Sequence, residues 1–214
     1  EAIVASIPPE YLAEKFFAVR SSVVGEDAEG ASFAGQMDSC LFQKGIDAIC
    51  TSVLTVLRSA FNERALLYRL QKNIPVHDIK AAVIIQEMVD GEVSGVMFTA
   101  HPVTGSRKHA LISAAWGCGE GIVSGLCNAD EFTVPLFADT VEKVVNEKDI
   151  AVVFDAETGI GTKEIHVDVQ KRNIACLSDS QVIALRNIGR SIAEMKQSPQ
   201  DIEFTFRQGR FYVL

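Results

Sequence analysis

Apolar positions recur at helical spacing over residues 46–72, where Ile49, Val53, Val56, Leu57, Ala60, Leu67 and Tyr68 form a stripe and Arg58, Glu63, Arg64, Arg69 and Lys72 supply polar surface. This pattern predicts one long helix. The period then changes. The apolar run 81–89 predicts a buried strand, Asp90-Gly91 predicts a hairpin turn, and 93–99 predicts the return strand. Upstream, residues 10–17 read as the end of a helix, 17–20 as a short strand and 21–36 as a loop carrying Gly25, Gly30 and Gly35. Downstream, 111–115, 131–134 and 164–169 read as strands, with a turn over 117–121 and a turn-rich loop over 101–105. Ser178 and Gln181 fit a capping box, which opens a helix with Val182, Leu185, Ile188, Ile192 and Met195 on its apolar side and Pro199 at its close. The strands 201–206 and 211–214 flank a Gln208-Gly209 turn. Helices among hairpins predict an α+β fold, not a regular βαβ winding.

Composition narrows the functional classes. The 214 residues leave room for one large domain or two small ones, and 48% of them are hydrophobic, enough for a sizeable core. A net charge of −8 disfavours a nucleic-acid binder that works by broad charge neutralisation, but not a nucleotide site, which needs only a few local cations. No apolar stretch is long enough to span a membrane. The five cysteines are odd in number and contain no C-x-x-C pair, so the expectation is reduced thiols in a cytoplasmic protein. There is no basic-then-apolar leader, and the first residue is Glu1, so the chain reads as a piece of something longer.

Three segments are candidates for chemistry. In the last hairpin, alternation puts Ile202, Phe204 and Phe206 on one strand face and Asp201, Glu203 and Thr205 on the other. Two carboxylates so placed suit Mg²⁺, which takes one or two protein carboxylates and fills its shell with phosphate oxygens and water; a plain solvated face is the alternative. Near the start, Val19-Arg20-Ser21-Ser22 leads to Ala31-Ser32-Phe33-Ala34-Gly35-Gln36. Small residues let backbone N–H groups approach phosphate, and Arg20 is a bidentate cation, although an ordinary surface loop with a structural arginine has the same look. Gln86-Glu87-Met88-Val89 ends a strand and can offer backbone groups to a purine edge, or can simply be core. The four histidines show no metal-ligand spacing, and Cys118 lies in a glycine turn with no base in sight, so neither predicts catalysis.

The order of these segments is more telling than any one of them. Together with Arg64-Ala65, Tyr68-Arg69, Ser94-Gly95-Val96-Met97-Phe98-Thr99, Pro102-Val103-Thr104-Gly105, Gly117-Cys118-Gly119-Glu120, Val123-Ser124-Gly125 and Pro199-Gln200-Asp201-Ile202-Glu203-Phe204, they closely resemble the ATP-binding domain of the phosphoenolpyruvate synthase and pyruvate, phosphate dikinase family, which also includes rifampicin phosphotransferase. The resemblance runs over residues 15–214, with 1–14 left as a linker or the remnant of an upstream subdomain.

The resemblance implies an ATP-grasp fold, truncated at both ends, in which ATP lies between two α+β subdomains. It implies that Arg20 binds the ATP phosphates and acts in catalysis, that Gly35 and Ser39 belong to the loop over the phosphates, that Gln86, Glu87, Met88 and Val89 form the hinge that cradles adenine, and that Asp201 and Glu203 hold Mg²⁺, with Glu203 also on the nucleotide. In the parent enzyme ATP would phosphorylate a carrier histidine on a separate domain, and the phosphoryl group would pass to pyruvate on another. The family's upstream glycine-flanked lysine, its final Gln-x-Arg-Pro, its Thr-x-His carrier motif and its pyruvate-binding barrel are not in this sequence. His101 stands where the family commonly has Asp or Asn and reads as a loop residue. The alternatives are a non-catalytic nucleotide-binding module and the ATP-binding part of a rifampicin-type phosphotransferase.

Overall fold

The computed structural model describes residues 8–23, 27–28, 31–32, 37–76 and 79–214. Gly35 and most of the glycine-bearing loop lie outside them. The chain divides into two units, Glu1–Met88 with Phe154–Thr162, and Val89–Val153 with Lys163–Leu214.

The first unit contains α1 (Pro9–Glu14), β1 (Phe17–Val23), a two-residue ladder of β2 (Asp27–Ala28) with β3 (Ala31–Ser32), β4 (Cys40–Gln43), α2 (Ile46–Ser59), α3 (Glu63–Gln71) and β5 (Ala81–Glu87). The strands form an antiparallel sheet in the order β4-β1-β5. Phe17 and Val19 of the central strand pack with Leu12 of α1 and with Ile49 and Val56 of α2, and Val83 and Ile85 join them from β5. Burying side chains of this kind is worth about 1.5–3 kcal/mol each, which is what docks α2 on the sheet. The aromatic rings of Phe16, Phe42 and Phe154 gather beside this core, with centroids 4.8 Å apart for Phe16–Phe154 and 5.0 Å for Phe42–Phe154.

Three expectations change here. The helix expected over 46–72 is two helices. Asn62 interrupts it, because its side chain accepts the backbone N–H of Ala65 at 2.7 Å and so starts α3 as an N-cap. Arg69, expected on the polar surface, is buried, with a guanidinium nitrogen 3.4 Å from the Pro75 carbonyl. The run 81–89 is also not a buried strand. β5 ends at Glu87 and lies at the sheet edge among the described residues, and Ile84 is 49% exposed.

The second unit is built on a six-stranded antiparallel sheet. Its strands are β6 (Val93–Phe98), β7 (His109–Trp116), β8 (Asp130–Pro135), β9 (Glu142–Val144), β12 (Asp201–Arg207) and β13 (Arg210–Val213), in the order β13-β12-β6-β7-β8-β9. Between them in sequence come α4 (Glu120–Val123), the paired strands β10 (Ile150–Phe154) and β11 (Thr162–His166), α5 (Val169–Arg172) and α6 (Asp179–Lys196). Val182 and Leu185 of α6 share one core with Met97, Ile112, Phe132, Ile202 and Phe204 of the sheet. The helix lies close because Gly189 has no side chain; a Cβ there would sit 2.2 Å from Met97 Cε.

The capping box at Ser178 and Gln181 forms as expected. The helix ends at Gln197, whose backbone turns left-handed at φ 55°, two residues before Pro199. Met195, expected on the apolar side, is 72% exposed, because the last turn runs past the core. The strand expected over 164–169 is Thr162–His166; β9 carries no clear sequence signal, whereas β10 is an apolar run, Ile150–Phe154, that the expected strands do not include.

The Asp90-Gly91 hairpin does not exist. β5 pairs with β1, whereas β6 pairs with β12 and β7. Gly91 is small for another reason: a Cβ there would fall 1.8 Å from Thr205 Oγ1. Glycine serves close approach at this position and not a tight turn.

Candidate functional site

Each unit brings part of the expected set onto one sheet face. In the first, the antiparallel register places Ala18 opposite Gln86 and Arg20 opposite Ile84. Directly paired residues share a face, so Arg20 and Gln86 lie on the same side of the sheet, the side opposite the Phe17–Val19 core. Arg20 is half-buried, and Ser39 is exposed just before β4. Its neighbour Asp38 is tied at both ends: its N–H donates to Ser59 Oγ at 2.9 Å, and its carboxylate lies 3.6 Å from Arg64.

Glu87 belongs to the other face, opposite Phe17. Its carboxylate turns to the segment before β1, accepting from Tyr11 Oη at 2.5 Å and Lys15 Nζ at 2.8 Å. These partners hold the Glu87 carboxyl below the ordinary carboxylate range, first through Lys15 and then through Tyr11. The next residue, Met88, donates its N–H to the Phe16 carbonyl at 2.8 Å. Tyr11 and Lys15 carry no motif that sequence reasoning could have picked out, since they meet Glu87 only through the fold.

In the second unit, β12 alternates as expected. Ile202, Phe204 and Phe206 enter the core beneath α6, and Asp201, Glu203 and Thr205 take the opposite face. Asp201 lies opposite Phe98 and Glu203 opposite Val96, and the register continues to Leu111 and Ser113 on β7. The two carboxylates thus stand beside the half-buried Val96, Phe98 and Leu111 on the side of the sheet away from α6. The face is graded: Asp201 is exposed, Glu203 is half-buried, and Thr205 is 2% exposed. Thr205 donates to the Val93 carbonyl at 3.2 Å and lies 2.9 Å from Ser94 Oγ, so its hydroxyl is spent on the fold. Thr99 closes the ladder beside Asp201: its N–H donates to the Gln200 carbonyl at 2.9 Å, and its hydroxyl accepts from Gln200 N–H at 2.7 Å.

Two further residues, His101 and Cys118, have local surroundings of their own. His101 Nδ1 accepts the N–H groups of Val103 and Thr104 at 3.2 and 3.3 Å, which makes it the brace of its own loop. Cys118 is buried, and burial, with Asp90 and Glu120 adding to it, pushes its thiol up to about 12. A thiol so perturbed is not a nucleophile at neutral pH.

A family model described as pyruvate phosphate dikinase, AMP/ATP-binding domain, matches residues 2–214. The chain belongs to that family. Among curated proteins, a rifampicin phosphotransferase of Bacillus subtilis is 38% identical over 211 residues that are 99% of this chain and 24% of the relative. A probable phosphoenolpyruvate synthase of Methanothermobacter thermautotrophicus is 40% identical over 200 residues, 93% of this chain and 29% of the relative. The phosphoenolpyruvate synthase of Pyrococcus furiosus is 36% identical over 211 residues, 94% of this chain and 26% of the relative. The chain therefore spans about a quarter of the length of the curated relatives it matches. As an AMP/ATP-binding domain of this family, it is a nucleotide-binding module of mixed α+β structure. No helix among the described residues is long and apolar enough to cross a membrane.

Proposed function

We propose that the chain is an ATP-grasp nucleotide-binding domain, spanning residues 15–214, of a cytoplasmic phosphotransferase of the phosphoenolpyruvate synthase type. It binds Mg²⁺–ATP and serves the transfer of a phosphoryl group to a carrier histidine on a separate domain, and from there to pyruvate on a further domain of the parent. The observation that carries this reading is that Asp201 and Glu203 share one sheet face beside apolar Val96, Phe98 and Leu111. Carboxylates alone would repel a polyphosphate, so a cation between them and the phosphates makes the face usable.

The donor set fits Mg²⁺. One exposed and one half-buried carboxylate, two residues apart on a rigid strand, supply the one or two protein ligands that this ion takes. No cluster of three or more His, Cys, Asp and Glu that could hold a metal is gathered among the described residues. When bound, the ion would neutralise charge on the phosphate oxygens. Arg20 acts as a fixed cation on the polyphosphate, positioned by the β1–β5 ladder. Gln86, Glu87, Met88 and Val89 receive the purine, and Gly35 and Ser39 cover the phosphates. Catalysis here is positioning and charge compensation, with no covalent step on the domain itself.

The Bacillus subtilis relative supports a second reading, in which the final acceptor is an antibiotic hydroxyl. Isothermal titration of ATP with and without Mg²⁺ tests the site: metal-dependent binding is expected, and metal-independent binding would favour a non-catalytic module. Assaying the full-length parent with ATP and either pyruvate or rifampicin separates the two acceptors.

A further inference from the structure

The end of β5 is held from one side by a single short segment. Tyr11 and Lys15 take the two carboxylate oxygens of Glu87, and the Phe16 carbonyl takes the Met88 N–H. Phe16 is itself anchored, its ring packed on Phe154 and Phe42 with the Lys44 ammonium 5.1 Å from its centroid. Glu87 and Lys15 are both about half exposed, so their ion pair adds little to stability. What the contacts provide is direction.

The ladder shows which direction. Met88 bonds toward the Phe16–Phe17 segment, and in an antiparallel pair residues alternate between bonding the partner and turning away from it. Glu87 is the turned residue. Its N–H and C=O point to the outer edge of β5, which is the sheet edge among the described residues. A carbonyl fixed there accepts a hydrogen bond from an amine and repels another carbonyl. Adenine carries an exocyclic amine at its 6-position, and a 6-oxo purine carries an oxygen in the same place.

We propose that Tyr11 and Lys15 are positioning residues for base recognition: by holding the Glu87 side chain at both oxygens they aim its carbonyl at the 6-amino group of adenine and set the preference for ATP over 6-oxo purine nucleotides. This rests on the reading that Gln86–Val89 receives the purine. Neither residue touches the nucleotide. A 6-oxo base loses this hydrogen bond and sets two acceptors against each other, the kind of mismatch that discriminates far better than a change of size.

The test is calorimetric titration of the full-length parent protein with ATP, inosine triphosphate and inorganic tripolyphosphate, all with Mg²⁺. The variants are Tyr11→Phe, Lys15→Met and Lys15→Arg. The unaltered protein should prefer ATP to inosine triphosphate. Tyr11→Phe and Lys15→Met should each narrow that preference about three- to tenfold, the scale of one weakened hydrogen bond. Tripolyphosphate affinity should not change, and Lys15→Arg should keep the preference. A merely structural role would lower all three ligands together and leave the ratio intact. That result, or variants that discriminate as well as the unaltered protein, overturns the positioning role alone. An unaltered protein that binds both triphosphates equally overturns the purine reading of Gln86–Val89 itself.

Discussion

Lys148 and Asp130 form an ion pair with no solvent access to either side chain, Nζ lying 2.6 Å from Oδ1. Both partners make further hydrogen bonds. Asp130 also accepts the N–H groups of Asn146 at 3.0 Å and Cys176 at 2.8 Å, and Lys148 donates to the Asn146 carbonyl at 2.7 Å. It ties the start of β8 to the segments around Asn146 and Cys176. Breaking one side leaves a buried charge uncompensated, so Lys148→Met should cost about 3–5 kcal/mol in urea unfolding. Replacing both residues with apolar ones should cost less than the sum of the single changes. Additive losses would mean that the two charges do not depend on each other.

Glycines that look alike in sequence should differ in tolerance. A Cβ at Gly95 would fall 2.1 Å from the Ser113 carbonyl oxygen, which is backbone and cannot move without disrupting the β6–β7 ladder. At Gly189 the obstruction is the end of the Met97 side chain, which can swing aside. Gly189→Ala should cost about 1–3 kcal/mol, as overpacking of a core commonly does. Gly95→Ala should cost more, and thermal unfolding of the two variants gives the order.

The carboxylates of β12 should behave as one metal site. In a double-mutant cycle of Asp201→Asn and Glu203→Gln, scored by Mg²⁺-dependent ATP binding, the losses should fail to add by about 0.5–3 kcal/mol. Additive losses, or losses that persist without Mg²⁺, would return this face to ordinary solvated polarity. Thr205→Val separates function from fold on the same strand. It should leave metal dependence intact but lower stability by about 1 kcal/mol, because the hydroxyl bonds Val93 and Ser94.

Arg20→Ala should weaken ATP binding far more than AMP binding, since the guanidinium is assigned to the polyphosphate. A charge-assisted hydrogen bond is worth about 1.5–3 kcal/mol, or roughly ten- to a hundredfold in affinity. Equal losses for both nucleotides in calorimetry would remove Arg20 from that role.

Cys118 should resist alkylation in the native state. Its thiol, raised from 9.0 to about 12 chiefly by burial, stays protonated at pH 8. Because the folded value lies above the unfolded one, the neutral thiol's contribution to stability is complete below pH 9.0 and is lost as pH rises towards about 12. Mass spectrometry after iodoacetamide treatment at pH 8 should show Cys118 unmodified until the chain is unfolded. Cys118→Ala should leave nucleotide binding unchanged.

Local signals are legible wherever neighbouring residues decide the outcome. The capping box of α6 is set by Ser178 and Gln181, three residues apart, and the alternation of β12 follows from the pleat alone, so the amino-acid order is enough to read both. The ordered motifs also suffice to place the chain in its family, because those residues keep their sequence order whatever the fold does. Other features depend on partners distant in the chain. The strand after Gly91 reads as the mate of β5, yet the sheets pair it with a strand more than a hundred residues away. Glu87 reads as a purine contact, but its carboxylate is committed to Tyr11 and Lys15, 76 and 72 residues upstream. Lys148 and Asp130 look like two ordinary surface charges until folding removes the water from both. Sequence determined the alternation of β12 and the cap of α6, since these arise from bonds within a few residues. Only tertiary structure decided pairing and burial, which depend on which distant side chain arrives to satisfy a polar group or to exclude the solvent around it.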